Sequence, residues 1–204
     1  MEPSKEFCNF FKKYNSLDEL IENLIFTSLI ESYKRVRLIK DIDILDEPLI
    51  KDKFQYDLTW NNVLTKELIK KNFITFNWEN QILTKDSEKK RTDLCFIINS
   101  LIVFVIECKK ISGAITEQYI ENGINRFTQK IYITDEKFAG MCSFVVKSSI
   151  IQIIPKIKKL LMKNNCSGIG DRKIDYWDAY FYSTHKKIDG SDLGIYHIFF
   201  DFNN

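Results

Sequence analysis

The sequence predicts a mixed α/β fold in which helices cover the faces of a central β-sheet. Three observations predict it: an apolar helical pattern that begins near Ser16, two β-prone runs between Leu94 and Ile106, and alternating helix-like and strand-like segments after them. With 45% hydrophobic and 14% aromatic residues among 204, the chain can bury a substantial core, which excludes wholesale disorder. We expect a single domain over residues 1–204.

The first predicted element is a helix that begins after Asn15 or Ser16 and ends near Arg37. Acidic residues lie in its first turn and basic residues in its last, as the helix dipole favours. Apolar residues occur on more than one side of the helical wheel, so the helix should be largely buried. Residues 41–66 show no clear periodicity, although residues 64–71 favour a short helix.

A strand and a hairpin follow. Residues 73–78 alternate between apolar and polar side chains, which is typical of a strand, and residues 82–90 read as a charged loop. The β-branched and aromatic runs 94–98 and 101–106 are separated by a polar break at 99–100 and predict two antiparallel strands.

The remaining segments alternate between helix and strand. The predicted elements are a helix over 116–130, a strand over 140–146, a helix over 148–163 that Pro155 should kink, and strands over 176–182 and 195–200. The complete order is therefore α, β, β-hairpin, α, β, α, β, β.

Charged side chains meet where the two strands of the hairpin end. A two-residue loop would place Asp93 opposite Ile106, and a three-residue loop would place it opposite Glu107. Because side chains alternate along a strand, Glu107 and Lys109 share one face and Cys108 points to the other. A Glu–Lys pair on a solvated strand is the simplest structural interpretation, but ionisable groups that end a buried strand are costly without a role.

Two carboxylates and a lysine at one end of a sheet suit hydrolysis of a phosphodiester with a hard metal ion. Mg²⁺ is usually held by one or two carboxylates together with water and substrate phosphate oxygens. Such an ion polarises the phosphoryl group and lowers the pKa of a bound water, and a lysine can hold that water or offset developing charge. The sequence therefore predicts a Mg²⁺ site, in which Mn²⁺ should substitute.

Asp93 followed by Glu107-Cys108-Lys109 resembles the D…(D/E)xK signature of the PD-(D/E)xK nuclease superfamily. The resemblance implies a restriction-endonuclease-like mixed sheet with an αβββαβ core over about residues 16–147. Residues 148–204 would then be a C-terminal αββ elaboration.

The resemblance also implies a role for each motif residue. Asp93, Glu107 and the backbone carbonyl of Cys108 would ligate the metal, and Lys109 would position or activate the attacking water. Thr92 stands where proline often occurs in the superfamily.

Members of the superfamily often add an acid from the first helix and a polar residue from the helix after the motif. Here Glu22 is the preferred acid and Glu31 the alternative, although either could be an ordinary acid on a helix surface. On the later helix Gln118 is preferred, and it shares a face with Asn122 and Arg126 at spacings of four. A solvated polar stripe would show the same spacing.

Basic residues near the hairpin are candidates for contact with nucleic acid. Arg91 either binds a phosphate or pairs with Asp93, and Lys90 precedes it. Arg126 is a further candidate, whereas the lysines of 156–163 are more simply a solvated helix face. The formal net charge of +2 neither requires nor excludes a nucleic-acid partner.

Several classes of protein are disfavoured by the sequence. The five cysteines include no C-x-x-C pair, and His185 and His197 match no metal motif and are expected to be structural. No glycine-rich phosphate loop occurs. The odd cysteine count and the absence of a signal-like N-terminus predict a cytoplasmic protein, and no apolar stretch is long enough for a membrane helix.

The leading hypothesis is a Mg²⁺-dependent endonuclease that cuts DNA and acts as an effector of a restriction or anti-phage defence system. A chain of this size could act as a homodimer or be directed by a partner such as an ATPase or a sensor. One alternative is an inactive nuclease fold that serves as a binding or assembly module. Another is an unrelated α/β domain in which Glu107 and Lys109 form a structural ion pair.

Overall fold

The computed structural model describes residues 4–83, 89–98, 101–113, 117–129, 137–164, 166–170, 174 and 176–203. The strands in these residues are β1 Ile74–Leu83, β2 Lys89–Ile98, β3 Leu101–Ser112, β4 Phe138–Val146, β5 Cys166–Gly170, β6 Tyr180–Lys186 and β7 Asp192–Asp201. They form one seven-stranded sheet in the order β1-β2-β3-β4-β7-β6-β5. Strands β3, β4 and β7 are parallel, and the other neighbours are antiparallel.

Helices pack on both faces of this sheet. They are α1 Lys5–Phe11, α2 Leu17–Leu20, α3 Thr27–Val36, α4 Glu47–Trp60, α5 Val63–Lys70, α6 Asn125–Thr128 and α7 Ile150–Lys163, with π-helices at Ile21–Phe26 and Ile120–Ile124. The predicted mixed α/β class and the αβββαβ order are confirmed. Among the described residues, no helix is long and apolar enough to cross a membrane. The division into a core and a C-terminal elaboration stays a prediction.

The predicted first helix begins where the sequence indicates. The Ser16 hydroxyl accepts a hydrogen bond from the Glu19 N–H at 3.1 Å, and helical structure then continues to Val36. Its middle is the first π-helix, which the sequence does not reveal. Phe26 within it is fully buried and contacts Phe104 of β3. This helix therefore forms the base of the core on one face of the sheet.

Helix α4 is the main element that the sequence pattern misses. Asp46 caps it by accepting the Leu49 N–H at 3.2 Å, and Phe54 lies on its buried side. Lys51 and Asp57 are buried as well, and these charged residues hide the apolar periodicity. Strand β5 also goes unpredicted, so the residues described after α7 form three strands where the sequence predicted two.

Alternate residues of β3 contribute to two separate cores. Phe104 and Ile106 pack with α1 to α5 on one face, and Val105 and Ile111 pack with the second π-helix, α6 and α7 on the other. The alternation continues into the E-x-K motif. Cys108 belongs to the first core, whereas Glu107 lies on the second face.

A chain of buried polar side chains crosses the second core. The Tyr119 hydroxyl lies 2.8 Å from His197 Nδ1, and the Ser183 hydroxyl lies 2.7 Å from His197 Nε2 and 2.8 Å from His185 Nε2. Both histidines are thus buried and hydrogen-bonded. Burial lowers the pKa of His185 to about 4 and holds the pKa of His197 well below 6.5.

The lowered pKa values of the two histidines predict that the protein loses stability in mildly acidic solution. Their pKa values in the folded state lie below 6.5, so protonation favours the unfolded chain, and the stability present above pH 6.5 is lost as the pH falls toward 4. Between pH 7.5 and 5.5 the free energy of unfolding should decrease by about 1.4 kcal/mol for each histidine. Denaturant titrations at both pH values check this. In the variant His185→Gln, the difference between the free energies of unfolding at the two pH values should be about half as large. If the wild-type protein has the same free energy of unfolding at both pH values, the prediction is wrong.

Candidate functional site

The register of β2 against β3 determines which residue lies opposite Asp93. Near the turn the strands pair in the register of a two-residue loop, but the pairing shifts by one residue further along, so that Leu94 pairs with Ile106. One more step in this register places Asp93 opposite Glu107. The register shift within the hairpin, and not the length of its loop, therefore places Asp93 opposite Glu107.

Glu107 is completely buried and paired with two cations. Its Oε1 accepts hydrogen bonds from Lys109 Nζ at 2.7 Å and from Arg126 Nη1 at 2.6 Å. The side chains of Lys109 and Arg126 are 19% and 34% exposed. A buried carboxylate needs such partners because desolvation of an unpaired charge is strongly unfavourable.

Asp93 connects the motif to α4. Its Oδ2 accepts the backbone N–H of Cys108 at 2.8 Å, and its Oδ1 accepts Lys51 Nζ at 2.7 Å. Because the N–H and C=O of one residue point to the same side of a strand, the Cys108 carbonyl faces the Asp93 side as well. The two acids are thus joined through the backbone of the residue that follows Glu107.

The first turn of α4 supplies a third carboxylate. Glu47 Oε2 accepts the Lys110 N–H at 2.7 Å, and its Oε1 lies 3.9 Å from Lys51 Nζ. The Lys110 ammonium in turn donates to the carbonyls of Asp43 and Leu45. Glu47 and Lys51 are the site residues that sequence reasoning missed. Asp46-Glu47-Pro48, a cap residue followed by proline in the first turn, is the signal that would have located them.

The surroundings determine the protonation of Lys51 and Cys108. Burial lowers the pKa of Lys51, but the hydrogen bond from Lys51 to Asp93 and the negative charge of Asp93 outweigh burial and raise that pKa overall. The neighbouring Cys142 thiol and complete burial raise the pKa of Cys108. Lys51 therefore stays a cation and Cys108 stays a neutral thiol, which leaves the backbone groups of Cys108 as its contribution to the site.

The remaining predicted residues lie in different places. The carboxylate of Glu22 accepts a hydrogen bond from the Tyr180 hydroxyl at 3.3 Å, on β6, a strand that β4 and β7 separate from β3. Gln118 and Asn122 are exposed, whereas Arg126 reaches Glu107. The intervening π-helix, with its i→i+5 hydrogen bonds, changes the spacing that an α-helix would give.

Three other residues were predicted as candidates. Glu31 pairs with Lys34 at 2.5 Å on the surface of α3. Lys90 and Arg91 lie on β2 opposite Ile82 and Gln81, and their side chains lie outside the described residues.

The donor atoms suit a hard metal ion. Asp93 and Glu107 offer carboxylate oxygens and Cys108 offers a carbonyl, which are ligands that Mg²⁺ accepts while it keeps several waters. In the part of the chain that the structure describes, no three His, Cys, Asp or Glu side chains form a metal-binding cluster.

Comparison with known protein families shows to which family the chain belongs. A family model described as "Type I restriction enzyme R protein N terminus (HSDR_N)" matches residues 10–144. The chain belongs to the HSDR_N family. HSDR_N is a PD-(D/E)xK-like nuclease domain, so the resemblance in the sequence is confirmed, and the chain is associated with restriction systems. No curated protein and no solved structure matches the chain.

The pair of Lys51 and Asp93 should couple α4 to the motif energetically. Their side chains are 10% and 13% exposed, so Lys51→Met leaves a largely buried carboxylate without its cation and should lower the free energy of unfolding by about 3 kcal/mol. In the double variant Lys51→Met/Asp93→Asn that charge is absent, and part of the loss should be recovered. Denaturant titration of both single variants and the double variant measures the coupling, and strictly additive effects would rule it out.

Proposed function

We propose that this HSDR_N chain is a metal-dependent nuclease that hydrolyses DNA phosphodiester bonds in a restriction or anti-phage defence system. One observation carries the proposal. Asp93 binds the backbone of the E-x-K motif directly, while the acid and the lysine of that motif are in contact on one face of β3. This arrangement joins two oxygen-ligand side chains and one cation at the point where β2 and β3 separate.

Each motif residue has a role that its surroundings support. Asp93, Glu107 and the Cys108 carbonyl would hold Mg²⁺ or Mn²⁺. When bound, the ion would polarise the phosphoryl oxygen and acidify a water molecule. Lys109 is partly exposed, so its ammonium can hold that water and offset the charge that develops on the phosphate. Glu22 and Gln118 were also proposed to complete the site. Their described surroundings do not support that role, because Glu22 binds Tyr180 and Gln118 is exposed.

Arg126 is the proposed contact with the substrate. Its side chain is more exposed than that of Lys109, although both side chains bind the same oxygen of Glu107. Guanidinium groups bind phosphate through two parallel hydrogen bonds, which suits a residue beside the scissile group. Lys90 and Arg91 are proposed to extend this contact along the nucleic acid backbone.

The proposed function includes a larger assembly. The family is described as the N terminus of the R protein of type I restriction enzymes, which suggests that other parts of such an enzyme select the DNA. We expect this chain to act on DNA delivered by a partner such as an ATPase, or to pair as a homodimer. The partner would also restrict cutting to the correct target.

One observation favours a second candidate, an inactive module for binding or assembly. The carboxylates of Glu47 and Asp93 lie 3.9 and 2.7 Å from the Lys51 ammonium, and the carboxylate of Glu107 is bonded to Lys109 and Arg126. Each of these carboxylates thus already has a cationic partner in the chain itself. A protein that uses the fold only for binding could keep such a set for stability.

Cleavage of supercoiled plasmid in Mg²⁺ or Mn²⁺ distinguishes the two candidates. We expect wild-type nicking to fall by on the order of a hundredfold or more in Glu107→Gln and in Lys109→Met, because each removes a group that acts on the transition state. Lys70→Met is the matched control, since Lys70 is an exposed lysine that pairs with Glu67 on α5. Melting temperatures confirm that the variants fold. Folded wild-type protein that neither cuts DNA nor binds either ion would favour the inactive module.

A further inference from the structure

Arg126 differs from the other described cations of the site in its exposure and in the element that carries it. Lys109 lies on the same strand as Glu107, two residues away, and Lys51 lies within hydrogen-bond distance of Asp93 at 10% exposure. Arg126 comes from a separate helix, is 34% exposed and shares Glu107 Oε1 with Lys109. Removal of Arg126 from Glu107 would still leave that carboxylate paired with Lys109. Of the two described cations on Glu107, Arg126 is therefore the one better placed to reach a ligand in solvent.

The charges of the site make such a departure favourable when a metal binds. Each of the three described carboxylates already has a lysine or arginine partner. A divalent ion at Glu107 would add two positive charges beside Arg126, and repulsion between cations at short range in a partly buried site is strong. A phosphodiester anion close by would offer Arg126 a new partner.

Contacts outside the site restrain the helical segment that carries Arg126, so rotation of the side chain is the simplest way for the guanidinium to move. The Ile188 N–H donates to the Thr128 carbonyl at 2.9 Å and holds the end of α6. Gly123 packs so closely on Met141 that an added Cβ would lie 2.6 Å from the methionine methyl carbon. Tyr119, at the start of the same helical segment, is bonded to His197. A rotation of the arginine side chain is consistent with all three restraints.

We infer that Arg126 is an exchangeable counter-ion, which pairs with Glu107 in the metal-free protein and moves to a phosphate oxygen of DNA when a divalent ion binds. This inference rests on the proposed function and adds a regulatory property to it. Arg126 opposes metal binding in the absence of DNA, and DNA relieves that opposition. Metal and DNA therefore strengthen each other's binding, as thermodynamic linkage requires. The domain is kept poorly loaded with metal until DNA arrives.

The first measurement is the affinity of the full chain for Mn²⁺ alone, by calorimetry. Arg126→Met should bind Mn²⁺ on the order of tenfold more tightly than wild type, because a competing positive charge has been removed. Arg126→Lys keeps that charge and should stay near the wild-type affinity. Arg37→Met is the control, since Arg37 lies over the Tyr33 ring on α3, away from the motif. A merely structural role for Arg126 would weaken metal binding instead.

The second measurement is the affinity for a short DNA duplex, by fluorescence anisotropy. Arg126→Met should weaken duplex binding by about tenfold in Ca²⁺, where the arginine is released onto phosphate, and should have little effect in EDTA, where it is held on Glu107. Equal weakening in both buffers would show that Arg126 contacts DNA permanently, and would overturn the exchange.

The outcomes separate failure of the exchange from failure of the proposed function. If Arg126→Met binds Mn²⁺ no more tightly than wild type while Glu107→Gln abolishes binding, the metal site stands and the exchange is wrong. If neither wild type nor Arg126→Met binds Mn²⁺, both proposals fail. If wild type binds too weakly to detect and Arg126→Met binds measurably, the exchange is supported.

Discussion

The rest of the site depends on how the open edge of β3 is satisfied beyond Ile106. The described pairing between β2 and β3 ends at Leu94 and Ile106. Beyond that point, the N–H groups on the β2 side of β3 need other acceptors, because unpaired backbone groups are costly to bury. Asp93 accepts the first of them, from Cys108, and Glu47 accepts the second, from Lys110. Two carboxylates thus stand where a neighbouring strand would otherwise run. The carboxylates of the site are therefore in place because the hydrogen bonding between β2 and β3 ends here.

The buried charge of Glu107 explains why a second helix must come close. A carboxylate with no exposed surface requires cations, and Lys109 on the same strand is only one of them. Arg126 completes the pairing from α6, on the side of the sheet that carries the second core. The second π-helix precedes α6 directly, so its wider turn helps to set the direction in which Arg126 projects. Stability and positioning are therefore provided by the same contacts.

The sequence predicts the parts of this site that follow from alternation along a strand. The shared face of Glu107 and Lys109 follows from a period of two, and the helix start at Ser16 follows from its capping chemistry. The register of Asp93 does not follow, because a one-residue shift inside β2–β3 leaves no pattern in the residues. Helix α4 is hidden by charged residues that tertiary contacts bury, and the π-helices have no known signature in this chain. What remains unpredictable depends on partners distant in sequence.

The buried hydrogen bonds of His197 affect where the protein could be truncated. The family match ends at residue 144, yet Tyr119 of the helical segment before Arg126 is bonded to His197 of β7, and the end of α6 is held by the Ile188 backbone. Strand β7 also pairs with β4 along its length. A fragment cut at the end of the family match would lose the support of the arginine-bearing helix and expose the edge of β4. The contacts that support the arginine-bearing helix therefore extend past the region by which the family is recognised.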